Sequence, residues 1–145
     1  MKKTFLHLIA GLCLFASTAI AQDDDSPKRA YLDAASAGTK FKLQGEYTGD
    51  IQVEGNTVKL GVQVIAGEKN KLKFAAYVGG LPGDGWTGND ALRGEGEISG
   101  SKATLVGENG SGEIVDGELT IFNRDKNAVG KLKKVERKSP TEGAK

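Results

Sequence analysis

The side chains best placed to do chemistry lie in one stretch. Gly79-Gly80-Leu81-Pro82-Gly83-Asp84-Gly85-Trp86-Thr87-Gly88-Asn89-Asp90 holds the only tryptophan of the chain, together with two carboxylates and an amide. An indole beside such oxygens suits a sugar: the ring stacks on the apolar face of the pyranose, and the oxygens accept its hydroxyl protons. Trp86, Asp84, Asn89 and Asp90 are therefore the candidate ligand-binding residues, with Tyr77 just before the loop as a second aromatic. The competing reading has Trp86 folding back to cap the β core. Composition leans that way, because a small domain with few large apolar residues rarely leaves its biggest one idle. The same oxygens are of the type Ca²⁺ takes, but their spacing is not that of an EF-hand loop, and no metal or other cofactor is expected. Gly80, Gly83 and Gly85 are not followed by the Lys-Ser/Thr of a phosphate-binding loop and open no helix.

Other candidates are weaker. Glu95 and Glu97 are two apart, so on a strand they share a face. Glycoside hydrolysis needs carboxylates that face each other across the substrate, one of them with a raised pKa. Between Gly94 and Gly96 these two read as a solvated face, and no catalytic residue is assigned. The run Lys131, Lys133, Lys134, Arg137 and Lys138 is read as a solvated edge strand leading into a linker. No aromatics are interleaved with it, as contact with single-stranded nucleic acid would want.

The one histidine, one cysteine and one methionine are His7, Cys13 and Met1. All three fall in a segment that reads as an export signal. Lys2 and Lys3 are basic, Phe5 to Phe15 is mostly apolar, and Ala19-Ile20-Ala21 fits a small-x-small cleavage rule. Cys13 follows Leu12 in mid-apolar stretch, the wrong setting for lipid attachment. Cleavage after Ala21 would leave a chain without a disulfide, a Cys or His zinc site, a thiol nucleophile or a Ser-His-Asp triad. It would also lower the net charge from +1 to −1 by removing two lysines, a balance that argues against a nucleic-acid partner. The expected location is periplasmic or extracellular. No later segment is long and apolar enough for a transmembrane helix.

The elements that must position the loop follow from hydrophobic period. Residues 1–21 are the signal, and 22–39 are an acidic start and a short helix. That helix enters at Ser26-Pro27, runs from Lys28 to Ala37 and stops at Gly38. From residue 40 the period changes to two. Phe41, Leu43, Gly45 and Tyr47 alternate with polar residues, as do Val58 to Val64 and Leu72 to Val78. A bend near Gly49-Asp50 leads on to Ile51-Gln52-Val53. Shorter strands are predicted at Leu92–Ile98, Ala103–Val106, Ile114–Val115, Leu119–Phe122 and Val129–Val135. Turns are predicted at 67–70, 99–101, Asn109-Gly110 and Asp116-Gly117, the last the strongest hairpin signal. The fold class is all-β: a small antiparallel sandwich or barrel of about eight short strands over 40–135, with a polar, basic linker at 136–145. Spacing alone leaves sandwich and barrel equally open.

Four stretches carry a resemblance. They are Phe41-Lys42-Leu43-Gln44-Gly45-Glu46-Tyr47, Gly61-Val62-Gln63-Val64-Ile65-Ala66, the Gly-Gly-Leu-Pro-Gly-Asp-Gly-Trp string at 79–86, and Gly130 to Thr141. Together they resemble the leading region of some exported bacterial proteins of the 3-keto-disaccharide hydrolase family, a glycosidase-like group with a jelly-roll fold. The match covers most of residues 38–145 in order. The jelly-roll domain itself is not among these residues, so no catalytic residue transfers. The resemblance implies an exported, non-catalytic accessory or interaction domain, with carbohydrate or a jelly-roll hydrolase-like domain as partner. The alternatives are a detached part of a glycosidase-like enzyme and an envelope scaffold without a small ligand.

Overall fold

The computed structural model describes residues 38–136. A single helical turn, α1 (Gly38–Leu43), precedes eight strands: β1 (Gly45–Val53), β2 (Asn56–Ala66), β3 (Lys71–Val78), β4 (Leu92–Ser99), β5 (Lys102–Gly107), β6 (Gly110–Val115), β7 (Glu118–Phe122) and β8 (Ala128–Val135). Each strand pairs antiparallel with the next, and β8 returns to β1, so the sheet closes into an up-and-down barrel. Closure removes both sheet edges, which is how short strands with many turns avoid unpaired backbone. Of the two architectures left open by spacing, the barrel is the one formed.

Period two has the expected consequence. Leu60, Val62, Val64, Leu72, Leu105, Ile114, Leu119 and Leu132 project inward and form one core cluster with Tyr47. Hairpin chemistry sets the register. Asp116 and Gly117 have φ of 50° and 80°, the double positive φ that Asp-Gly supplies in a type I′ turn. Glu54 and Gly55 repeat the geometry at the opposite end, with φ of 51° and 83°. The turn predicted at Asn109-Gly110 sits one residue earlier: Gly107 pairs with Gly110, so Glu108 and Asn109 are the turn residues. β1 continues through Gly49-Asp50 to Val53 as one strand.

One expectation is corrected. The strand predicted from Phe41 begins only at Gly45, because residues 38–43 are helical. Leu43 is the reason: helical placement drops it into the barrel end, where it is buried beside Tyr47. The plug is fastened by polar groups. The Tyr47 hydroxyl donates to the Leu43 carbonyl at 2.8 Å, and Lys134 Nζ donates to the Lys42 carbonyl at 2.7 Å. Lys40 Nζ donates to the Gly67 carbonyl at 2.8 Å. Burial pulls the Lys134 ammonium below the usual lysine range, partly countered by Glu136. The signal segment, the helix predicted over 28–37 and most of the linker lie outside the described residues. Among the described residues, no helix is long and apolar enough to cross a membrane.

Candidate functional site

Two places gather side chains beyond what a minimal barrel needs, one on the outer wall and one in the lumen. The outer site is built by β3 and the loop after it. Tyr77 points outward, opposite Gly61 of β2. Gly79 and Gly80 take φ of 98° and 127°, which turns the chain back along the wall. Leu81 then lies 1% exposed over Gly61, where a β-carbon would come within 2.4 Å of the Leu81 nitrogen. Gly61 is therefore the seat of the loop. Ala75, Tyr77 and Leu81, with Trp86, Ala91 and Val135, form a second apolar cluster outside the barrel.

The predicted site residues divide as follows. Tyr77 and Trp86 come together as an edge-to-face pair with centroids 5.2 Å apart at 68°. Trp86 is half-buried, and its indole N–H donates to the Asn89 carbonyl at 2.9 Å. Asn89 donates from its amide to Thr87 Oγ1 at 3.2 Å. Asp84 turns toward Lys59, which reaches its carboxylate at 3.1 Å and its carbonyl at 3.3 Å. Asp90 is exposed at the loop end. The Tyr77 hydroxyl donates to Gln63 Oε1 at 2.8 Å, and Gln63 Nε2 donates to Glu46 Oε1 at 2.8 Å, a ladder across three strands. Most polar groups of this set thus hold the loop in shape. The expectation that Trp86 caps the barrel core is corrected: it packs on the outer wall, against Tyr77, because Gly61 and Tyr77 offer an apolar seat there. Glu97 also faces outward, paired with Lys71 at 3.2 Å.

The second site is the lumen. The end away from α1 holds a cavity of about 760 Å³. Its wall is apolar: Val58, Leu60 and Val62 from β2, Phe74, Ala76 and Val78 from β3, and Leu105 from β5. Ile51 from β1 and Leu119 and Ile121 from β7 complete it. Beside Leu105, Gly107, Gly110 and Gly112 contribute no side chains to the β5–β6 side. The Phe74 ring lies over that bare wall; a β-carbon on Gly107 would stand 3.1 Å from Phe74 Cζ, and one on Gly94 only 2.5 Å from its Cε1. Val53, Val78 and Leu92 stay 42–44% exposed around the mouth. The charged lining residues Glu54, Arg93, Glu108 and Asp125 belong to the mouth turns and strand ends. An apolar chamber of this size with a polar rim can take a small molecule out of water.

Sequence reasoning missed this chamber. Its one available signal was the cluster of small residues Gly107, Gly110 and Gly112 on two neighbouring strands. Among the described residues, no group of three or more Asp, Glu, His or Cys stands where it could hold a metal ion. Comparison with protein-family models, with curated proteins and with solved structures finds no match.

Proposed function

We propose that this protein is an exported, non-catalytic binding module that takes a small apolar ligand into the lumen of its barrel. The observation that carries the reading is the 760 Å³ apolar cavity opening at the end opposite α1. Burying a ligand there removes apolar surface from water on both sides, worth roughly 25 cal/mol per Å² before the costs of immobilisation. An eight-stranded barrel is the size at which the interior either fills with side chains or holds one small ligand. The inward positions of the upper half bear too little side chain to fill it.

A second reading keeps carbohydrate as the ligand, on the outer wall. It is favoured by Trp86, which retains exposure beside Asp84, Asn89 and Asp90. Both readings fit an accessory domain that travels with a glycosidase-like partner, as the resemblance implies.

A neutral reporter that fluoresces in apolar surroundings, N-phenyl-1-naphthylamine, tests the first reading. Saturable enhancement is expected with the wild type and its loss with Gly107→Leu, whose side chain would push the Phe74 ring into the cavity. Trp86→Ala is expected to leave the signal intact. Absence of saturable binding by the wild type would end the lumen reading, and binding lost only in Trp86→Ala would transfer the site to the outer wall.

A further inference from the structure

The shape of the chamber says more than its polarity. Along β2 the wall descends from Val58 at the mouth to Val62 at the floor, and along β3 from Val78 to Phe74. Each apolar run is five residues, four steps, or about 13 Å along a strand and about 10 Å along the axis of a barrel whose strands tilt near 40°, and the mouth turns with Glu54, Glu108 and Asp125 continue the lining above it. At that level and below it the barrel is filled. Tyr47, Leu72, Ile114 and Leu132 are fully buried there, and Leu43 of α1 closes the end. The volume of about 760 Å³ takes in this apolar section and the rim above it, so the cup is broad for the depth of its apolar part. The missing side chains at Gly107 and Gly112 let Phe74 and Leu119 settle against the β5–β6 wall instead of standing out into the lumen.

We infer that the ligand is a compact, uncharged ring compound, short enough to fit wholly within this cup, and not a long-chain lipid. The inference rests on the lumen reading proposed above. A single alkyl chain would fill only a fraction of the width, and its length beyond the cup would hang in water. With carbon–carbon bonds of about 1.5 Å at tetrahedral angles, an extended chain advances roughly 1.25 Å per carbon, so about eight carbons span the depth. A fused or bridged ring fills the width, and being rigid it loses less freedom on binding. The Phe74 face adds an aromatic contact to such a ring. Charge is disfavoured because the lower wall is lined by apolar side chains, the polar lining residues such as Gln52 and Ser111 lying near the strand ends at the mouth, and an ion below them would forfeit its hydration.

The test is displacement of N-phenyl-1-naphthylamine from the full chain by 1-alkanols from butanol to tetradecanol, and by the bicyclic alcohol 2-decalol. Affinity should rise roughly fourfold per carbon, as buried methylenes dictate, and level off near octanol. 2-Decalol should outbind decanol, which has the same number of carbons, by about tenfold. A gain that continues at the same slope through tetradecanol, or decanol binding as tightly as 2-decalol, overturns the compact-ring inference and leaves the lumen reading standing. If neither reporter nor alcohols bind, or if they bind Gly107→Leu unchanged, the lumen reading fails and this inference fails with it.

Discussion

The two halves of the barrel use the same alternation to opposite ends. In the half that α1 plugs, inward positions carry Tyr47, Val64, Leu72, Ile114 and Leu132, and the interior is filled. In the open half, inward positions on β5 and β6 are Leu105 with Gly107, Gly110 and Gly112, and the interior is a cup. Both halves are lined by apolar residues; the plugged half is filled and the open half is not. Stability is therefore expected to be concentrated at one end and ligand binding at the other, the usual division between a rigid scaffold and a site that tolerates exposed apolar surface.

The largest expected effect separates the halves directly. Leu72→Ala should cost about 2–5 kcal/mol of unfolding free energy, the range for truncating a fully buried leucine. Val78→Ala at the mouth should cost under about 1 kcal/mol, because its side chain is already 42% exposed. Urea midpoints of the two variants check this, and equal losses would break the comparison.

The next concerns the plug. Burial pushes the Tyr47 hydroxyl up to about 12 from its ordinary 10. Below pH 10 the folded and unfolded chains both hold this proton. Between pH 10 and 12 the unfolded chain releases it first, so stability falls as pH rises through that window. The full difference is roughly 2–3 kcal/mol. Tyr47→Phe should remove this component of the alkaline loss, measured as the difference between the two stability–pH curves. At neutral pH the same change should cost about 1 kcal/mol, through the hydrogen bond to the Leu43 carbonyl.

Smaller still are the turns. Gly117→Val at the plugged end and Gly55→Val at the mouth each force a branched residue to positive φ, and each should cost about 1–2 kcal/mol. Nothing crowds a β-carbon at either position, so the two costs should match although the halves differ. Unequal urea midpoints would show that turn strain depends on which half surrounds it.

These contrasts also mark how far the sequence could be read. Alternation in Val58–Val64 and Leu72–Val78 located strands, and Asp116-Gly117 located a hairpin, because both signals are local. Phe41-Lys42-Leu43 misled because three residues fit a strand and a single helical turn alike; what decides is the empty barrel end that Leu43 fills. Of the two readings of Trp86, the core-capping one fails because loop composition does not say on which side of a wall a loop lies, and the seat at Gly61 belongs to another strand. Tyr77 and Trp86, named together from the loop, do meet. The cup was invisible because Gly107, Gly110, Gly112 and Phe74 share a height only after β3, β5 and β6 are in register.

The central claim is that one end of the lumen is a binding site and the other is core. Methyl-resolved NMR during titration with N-phenyl-1-naphthylamine tests it most directly. Shifts are expected in Ile51, Val58, Val78 and Ile121 methyls, with Ile114 and Leu132 methyls and the Trp86 indole N–H unmoved. Shifts centred on Trp86, or spread evenly over both halves, would contradict it.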